Sequence, residues 1–220
     1  MAGSHEFQAQ LGYHFTDLVL LERALRHASL DVEQDNEQLE FLGDRVLGLV
    51  VADYLVKAYA DEDEGNLARR HAQLVSRKTC AAIAADMGLA EVLKTDEGIR
   101  QKGDVPRNVL ADGCEAVLGA VYLDGGLEAA RQIIMTLWQD VFAAQTEAPI
   151  DNKSALQEWL MQRSKPLPKY EIIDRSGPDH APEFTIAVTS DIGSAQATGP
   201  SRKLAEQRAA AALLQLLEKE

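Results

Sequence analysis

Three carboxylates lie inside an apolar helical pattern near residue 40. At about 100° per residue, Glu37, Glu40 and Asp44 fall within roughly a 60° arc, so they share one helix face. Apolar side chains occupy most of the remaining positions, which predicts a buried helix. Because burying unpaired charge is very costly, these acids need cations. The pattern therefore indicates one half of a metal site.

A second acidic pair lies in another long apolar run. Asp112 and Glu115 are three residues apart, so on a helix they point the same way. If the two helices pack face to face, Glu40 and Asp44 join them in one cluster of oxygen ligands. Such a set suits Mg²⁺ or Mn²⁺ better than zinc or copper. Acids on a helix are more often a solvated face, but the apolar neighbours leave little room for one here.

The elements that position these acids are predicted to be helical. The apolar period gives helices at about 17–28, 36–59, 66–85, 108–122 and 126–143, with no convincing strand. Small polar residues with a proline at 146–150 predict a linker. Beyond it, alternation and turn residues predict a helix at 154–163, strands near 170–172, 184–188 and 193–198, and a helix at 201–217. The expected fold is multi-domain, with an all-α domain at 1–145 and a small α+β domain of order α-β-β-β-α at 151–220.

Composition indicates a soluble protein. No stretch approaches the roughly 18 unbroken apolar residues of a membrane span, and the N-terminus lacks a signal-peptide pattern. Cys80 and Cys114 each lie in an apolar helical pattern, which favours free buried thiols over a disulfide. We therefore expect a cytoplasmic protein without a membrane partner.

The acidic segment at 36–44 resembles the nine-residue signature of the ribonuclease III family, which cuts double-stranded RNA. Further segments resemble motifs of this family, in its order, at 24–29, 64–76, 110–116 and 122–126. The resemblance covers about residues 11–142. It implies hydrolysis of phosphodiesters in double-stranded RNA, leaving 5′-phosphate and 3′-hydroxyl ends with short 3′ overhangs, in the processing of ribosomal precursors and messages.

The resemblance also implies roles for single residues. The metal ligands for Mg²⁺, with Mn²⁺ as a substitute, would be Glu40, Asp44, Asp112 and Glu115. Asp44 and Glu115 would act in catalysis, with Glu37 and Glu64 at the rim of the site. Because the family works as a homodimer, Phe41 is a candidate for the dimer interface. The sequence is equally consistent with Phe41 lying in the core of the subunit.

The segments at 151–158, 177–184 and 201–207 resemble the double-stranded RNA-binding domain. The RNA contacts implied are Gln157, Glu158, His180, Ser201, Arg202 and Lys203. Ala197 stands where this domain usually has glycine, and Leu204 where it often has a basic residue. Both changes predict weaker RNA binding than is typical.

Charge is unusual for a nucleic-acid binder. Residues 151–220 hold 9 Lys and Arg against 10 Asp and Glu, so residues 1–150 carry −12 of the total −13. RNA affinity must then come from local basic groups and metal ions.

Other classes of function were weighed against this one. A di-iron oxidoreductase is set aside because no histidine has a glutamate three residues before it. Neither a nucleophile elbow nor a phosphate-binding loop occurs, and no organic cofactor is expected. A catalytically silent regulator that binds double-stranded RNA remains the alternative.

Overall fold

The computed structural model describes residues 2–100, 103–145, 151–178 and 181–217. Its contacts divide the chain into two compact units, residues 1–149 and residues 150–220. We call them the helical unit and the α+β unit. The predicted fold class is confirmed, because the first unit contains helices and the second contains three strands between two helices. The predicted linker at 146–150 lies outside the described residues.

The helical unit is built around two long helices. Its described helices are α1 (Ala2–Leu11), α2 (Leu18–Ala24), α3 (Glu37–Ala58), α4 (Glu64–Leu74), α5 (Arg77–Asp86), α6 (Leu89–Val92), α7 (Arg107–Leu137) and α8 (Gln139–Ala143), with a 3₁₀ turn at Ala28–Leu30. Helices α3 and α7 bury one apolar face each against the other, and α5 and α2 cover α7. This arrangement places the middle of both long helices in one core.

Two glycines allow α3 and α7 to touch backbone to backbone. A Cβ atom at Gly43 would lie 1.7 Å from the carbonyl oxygen of Glu115. A Cβ atom at Gly119 would lie 2.2 Å from the carbonyl oxygen of Leu39. Neither space admits a side chain, because real atoms do not approach so closely. The crossing point is therefore fixed within one turn of Glu40 and Asp44 on α3 and of Glu115 on α7.

Several helices differ from the sequence prediction: the helix predicted at 17–28 ends at Ala24, and α6 was not predicted. Helix α1 was not predicted, because its sequence is mostly polar, yet it buries Phe7 and Leu11. The predicted helix at 66–85 is two helices, because Ser76 caps α5 by accepting a hydrogen bond from the Thr79 N–H. The helices predicted at 108–122 and 126–143 meet without a gap in α7, and the break between them is present as a kink at Gly126, where φ is 77°. The second helix ends at Leu137, and residues 139–143 form the separate helix α8.

A buried arginine and a buried tryptophan fix the last part of the helical unit. The Arg70 guanidinium donates to both carboxylate oxygens of Glu62, at 2.8 and 2.6 Å, and stacks 3.9 Å from the centre of the Tyr59 ring. The Trp138 indole donates to the Leu74 carbonyl at 3.0 Å. Both groups are almost fully buried, so their polar atoms need these partners.

The α+β unit packs two helices on one sheet. Its elements are α9 (Asn152–Gln162), β1 (Lys169–Ser176), β2 (Glu183–Ser190), β3 (Gly193–Gly199) and α10 (Arg202–Leu217). The antiparallel strands lie in the order β1-β2-β3, with Ile186 opposite both Ile172 and Ala197. Ile186 and Val188 face the helices and meet Leu156, Leu160 and Leu213 in a small core.

No helix in the described part of the chain is long and apolar enough to cross a membrane. Cys80 and Cys114 are buried free thiols, as predicted. Burial and the neighbouring Glu115 raise the pKa of the Cys80 thiol to about 12, so it stays protonated.

Candidate metal centre

The crossing of α3 and α7 gathers the predicted carboxylates. Glu40 and Asp44 flank Gly43 on α3, and Glu115 supplies the carbonyl that Gly43 approaches on α7. Glu40, Asp44 and Glu115 line a cleft of about 300 Å³, together with Phe41, Arg45, Val75 and Arg77. We call this space the acidic cleft. Asp112 lies one helical turn before Glu115, where its charge acts on both Glu40 and Glu115.

We call these four carboxylates the carboxylate cluster. The surroundings of three of them, Glu40, Asp112 and Glu115, disfavour the charged state. Burial first, and then the charges of Asp44, Glu40 and Asp112, raise the pKa of Glu115 to about 7. Burial followed by the charge of Asp112 raises the pKa of Glu40. Burial also raises the pKa of Asp112. The residue Glu115 is only 9% exposed, so water offsets little of this repulsion.

Two arginines approach the carboxylate cluster from the rim of the acidic cleft. Arg45 donates to Asp44 Oδ2 at 2.7 Å and to the Phe41 carbonyl at 3.1 Å, and its guanidinium lies 3.9 Å from the centre of the Phe41 ring. Arg77 has one long ion pair, with Nη2 3.5 Å from Asp112 Oδ1. The carboxylate cluster therefore already attracts cations.

The side chains of the carboxylate cluster suit a divalent ion in their chemistry but do not yet converge on one point. In the described ranges, no three His, Cys, Asp or Glu side chains converge closely enough, as they stand, to hold a metal ion. The donor chemistry fits, because four buried or half-buried carboxylates repel one another on facing helices. Asp112 Oδ1 is also buried and has no hydrogen-bond partner among the described residues. A shared cation relieves both the repulsion and this orphaned oxygen.

The two rim candidates lie farther out. Glu37 is the first residue of α3 and is exposed, and its charge acts on Glu40. Glu64 is the first residue of α4 and is also exposed. Neither residue lines the acidic cleft. The geometry therefore places Glu40, Asp44 and Glu115 on the cleft, with Asp112 one helical turn before Glu115. It leaves Glu37 at their edge and Glu64 outside the cleft.

The expectation that α3 is buried on nearly all sides is wrong. Phe41 is 62% exposed, and Leu49 and Val56 are also exposed. These three side chains and Arg45 fall within roughly an 80° arc of the helix. Phe41 is thus not part of the core of the helical unit. Its ring instead begins an apolar stripe beside the acidic cleft.

The α+β unit carries the described RNA-contact candidates in the middle of α9 and at the start of α10. Gln157 is half-buried and Glu158 exposed on α9. Ser201 caps α10 by accepting from the Leu204 N–H at 3.3 Å, and Arg202 and Lys203 are exposed in its first turn. His180 lies outside the described residues. Ala197 packs against the core between sheet and helices, and Leu204 is exposed. Neither side chain carries a charge that could contact RNA.

Some features of both units escaped the sequence reasoning. Arg45 and Arg77 line the acidic cleft. The sequence offered a signal only for Arg45, which is adjacent to Asp44, and none for Arg77. Glu206 was also missed. Its carboxylate accepts from Lys153 at 2.6 Å and from Arg202 at 2.8 Å, which ties α9 to α10. These hydrogen bonds hold the pKa of Glu206 below its usual value.

Comparison with known families agrees with the resemblance. Residues 17–141 match the profile described as Ribonuclease-III-like, which is more than half of the chain. Residues 152–217 match the profile described as Double-stranded RNA binding motif. The two matched segments fall in the helical unit and the α+β unit, respectively.

Full-length relatives and solved structures agree as well. The chain is 44% identical to Ribonuclease 3 of Caulobacter vibrioides over 98% of this chain and 96% of that protein. It is 47% identical to Ribonuclease 3 of Ruegeria pomeroyi over 96% of each chain. A crystal structure of the ribonuclease III nuclease domain of Campylobacter jejuni matches with a TM-score of 0.61 and 36% identity, covering 64% of this chain and 97% of that one. The chain therefore belongs to the ribonuclease III family of endoribonucleases, with a helical nuclease domain followed by a double-stranded RNA-binding domain.

Proposed function

We propose that the chain cuts double-stranded RNA at the acidic cleft, with Mg²⁺ held by Glu40, Asp44, Asp112 and Glu115. The products are expected to carry 5′-phosphate and 3′-hydroxyl ends with short 3′ overhangs. Dependence on a divalent metal is a property of the family. The choice of Mg²⁺, with Mn²⁺ as substitute, rests on the all-carboxylate donor set. The observation that supports the proposal is the close contact between Gly43 of α3 and the Glu115 carbonyl of α7, since Glu40 and Asp44 lie within one turn of Gly43 and Asp112 lies one turn before Glu115.

The residues of the acidic cleft divide the work. Glu40, Asp44, Asp112 and Glu115 would hold the divalent ions, which would supply an activated water and neutralise charge on the leaving oxygen. Glu115, the most deeply buried of the four acids, holds its carboxylate where the other three charges converge. Asp44 contributes from the facing helix, positioned by Arg45. Glu37 and Glu64 are proposed to contact RNA or water at the rim rather than the ions.

Binding of the duplex is assigned to the α+β unit. Arg202 and Lys203 lie at the start of α10, where the free backbone N–H groups and the helix dipole favour phosphates. Gln157 and Glu158 on α9, with His180, are proposed to reach the wide RNA minor groove. We also propose the domain limits 1–145 and 151–220 with a linker at 146–150, and a cytoplasmic location.

The test of catalysis is cleavage of a long, perfectly paired RNA by the full chain. We expect cutting with Mg²⁺ and little with Ca²⁺, which supports binding but not chemistry. Glu115→Gln should abolish cleavage and retain RNA binding. Glu128→Gln is the matched control, because Glu128 is an exposed acid on the same helix. Binding without cutting by the wild type in both Mg²⁺ and Mn²⁺ would establish the silent regulator instead.

We further propose a homodimer that uses the apolar stripe of Phe41, Leu49 and Val56. The support is its exposure on α3, next to the acidic cleft. A Campylobacter jejuni nuclease domain with 37% identity over 63% of this chain and 97% of that one, and a TM-score of 0.60, is described with a region involved in dimer formation. One cleft cuts one strand, and two related by a two-fold axis match the symmetry of a duplex.

Sedimentation at micromolar concentration tests the dimer. We expect the wild type to be a dimer and Phe41→Asp to be a monomer. The free-energy cost of burying an unpaired carboxylate exceeds the free energy that the apolar contact contributes to association. Leu216→Asp is the control, since Leu216 is an equally exposed apolar residue in the other unit. A wild-type monomer, or equal effects of both variants, would rule out this interface.

A further inference from the structure

The rim of the acidic cleft holds two arginines with very different freedom. Arg45 is fixed by Asp44, by the Phe41 carbonyl and by the Phe41 ring. The Arg77 side chain is 69% exposed, and among the described residues its one ion pair is with Asp112, at 3.5 Å. At that length and geometry the pair is not a hydrogen bond, because Asp112 Oδ1 has no such partner within the described ranges. Arg77 can therefore leave Asp112 at little cost.

Arg77 also lies where an incoming polyanion needs a positive charge. It is the first residue of α5. The N-terminus of this helix is the positive end of the helix dipole and is capped by Ser76. It lines the same cleft as Glu40, Asp44 and Glu115. Residues 1–150 hold a net charge of −12, so the unit as a whole repels a phosphate. A guanidinium suits phosphate because its paired N–H groups bind two oxygens at once.

We propose that Arg77 changes partners during the reaction: it neutralises Asp112 until a divalent ion does so, and then contacts a phosphate of the bound RNA. This inference rests on the proposed metal site and deepens it. It assigns to Arg77 two opposite effects. Arg77 competes with the ion for Asp112, and it strengthens the binding of RNA. A residue that only supported the fold would weaken both kinds of binding together.

The metal half of the proposal is tested without RNA. Mg²⁺ binding to the full chain, freed of metal by EDTA, is measured by calorimetry for the wild type, Arg77→Ala and Arg77→Lys. We expect Arg77→Ala to bind Mg²⁺ roughly two- to fivefold more tightly, the strength of an exposed ion pair. Arg77→Lys should bind like the wild type. Unchanged or weaker binding by Arg77→Ala would overturn the proposal.

The RNA half is tested by affinity for a labelled 30-base-pair duplex in Ca²⁺. We expect Arg77→Ala to bind roughly three- to tenfold more weakly, with the slope of log K against log salt reduced by about one. Arg77→Lys should recover most of the affinity. An unchanged affinity and slope for Arg77→Ala would overturn the proposal.

Lys78→Ala controls both measurements. Lys78 is the next residue of α5, is exposed, and is not among the residues that line the acidic cleft. Lys78→Ala removes one positive charge, as Arg77→Ala does. If both variants gained the same Mg²⁺ affinity, the effect would be one of net charge, and the proposal would be overturned. Failure of the wild type to cut RNA in Mg²⁺ would contradict the proposed function, whereas neither half of the Arg77 test uses cleavage. The two failures are therefore distinguishable.

Discussion

Replacing Glu115 by glutamine should make the metal-free protein more stable at pH 8. The pKa of Glu115 is raised from 4.5 to about 7, so the folded state disfavours its charge. For an acid with a raised folded pKa, the folded state binds more protons than the unfolded state between these two values. The free energy of unfolding therefore falls as the pH rises from 4.5 to about 7, and stays low above it.

The size of this effect follows from the shift. Each pKa unit corresponds to about 1.4 kcal/mol, so the shift from 4.5 to about 7 sets an upper limit of about 3.5 kcal/mol for Glu115. The guanidiniums of Arg45 and Arg77 in the same cleft offset part of this cost, so we expect about 1–2 kcal/mol. For a unit of about 150 residues, this raises the melting temperature by about 2–8 °C.

Scanning calorimetry in EDTA measures the effect, with Glu128→Gln as the control. At pH 8 the transition of the helical unit should move up for Glu115→Gln and stay within about 0.5 kcal/mol for the control. At about pH 4.5 the two variants should match the wild type, because Glu115 is then protonated in the folded protein. Adding Mg²⁺ should stabilise the wild type more than Glu115→Gln. A Glu115→Gln protein that is no more stable at pH 8 without metal would refute the reasoning.

Three further substitutions test the packing and capping contacts of the two units. Gly43→Ala should destabilise the helical unit by at least about 3 kcal/mol in urea unfolding, because its Cβ has no space against Glu115, whereas Gly65→Ala, with no contact closer than 3.5 Å, should be tolerated. Trp138→Phe should cost about 2–3 kcal/mol in the same assay, since it leaves a small cavity and an unpaired carbonyl at Leu74. Asp151→Ala should destabilise the α+β unit by about 1 kcal/mol at pH 7. The hydrogen bond from Gln207, with those from the start of α9, lowers the pKa of Asp151. Calorimetry should therefore show this difference persisting above pH 3.8 and shrinking as the pH falls through the folded pKa.

The parts of the site that sequence could predict are those encoded within one helix. The spacing of Glu40 and Asp44, and of Asp112 and Glu115, puts each pair on one face, whatever surrounds it. The break between α4 and α5 was missed because the apolar period continues through Ser76, and only its cap reveals a helix start.

Features that depend on tertiary neighbours could not be predicted in this way. The exposure of Phe41 depends on which face of α3 meets α7, and both faces are apolar in sequence. The approach of Arg77 to Asp112 joins residues far apart in the chain, and no local pattern encodes it. Helix α1 was missed because its burial depends on two apolar residues in a polar segment.

The reciprocal contact of Gly43 and Gly119 has a consequence for how substitutions combine. Either glycine, once replaced by alanine, already forces α3 and α7 apart. The second replacement then enters space that the first has opened, so the double variant should cost less than the sum of the singles. The two positions thus behave as one site in a mutational landscape. A chain that loses one glycine gains little by keeping the other.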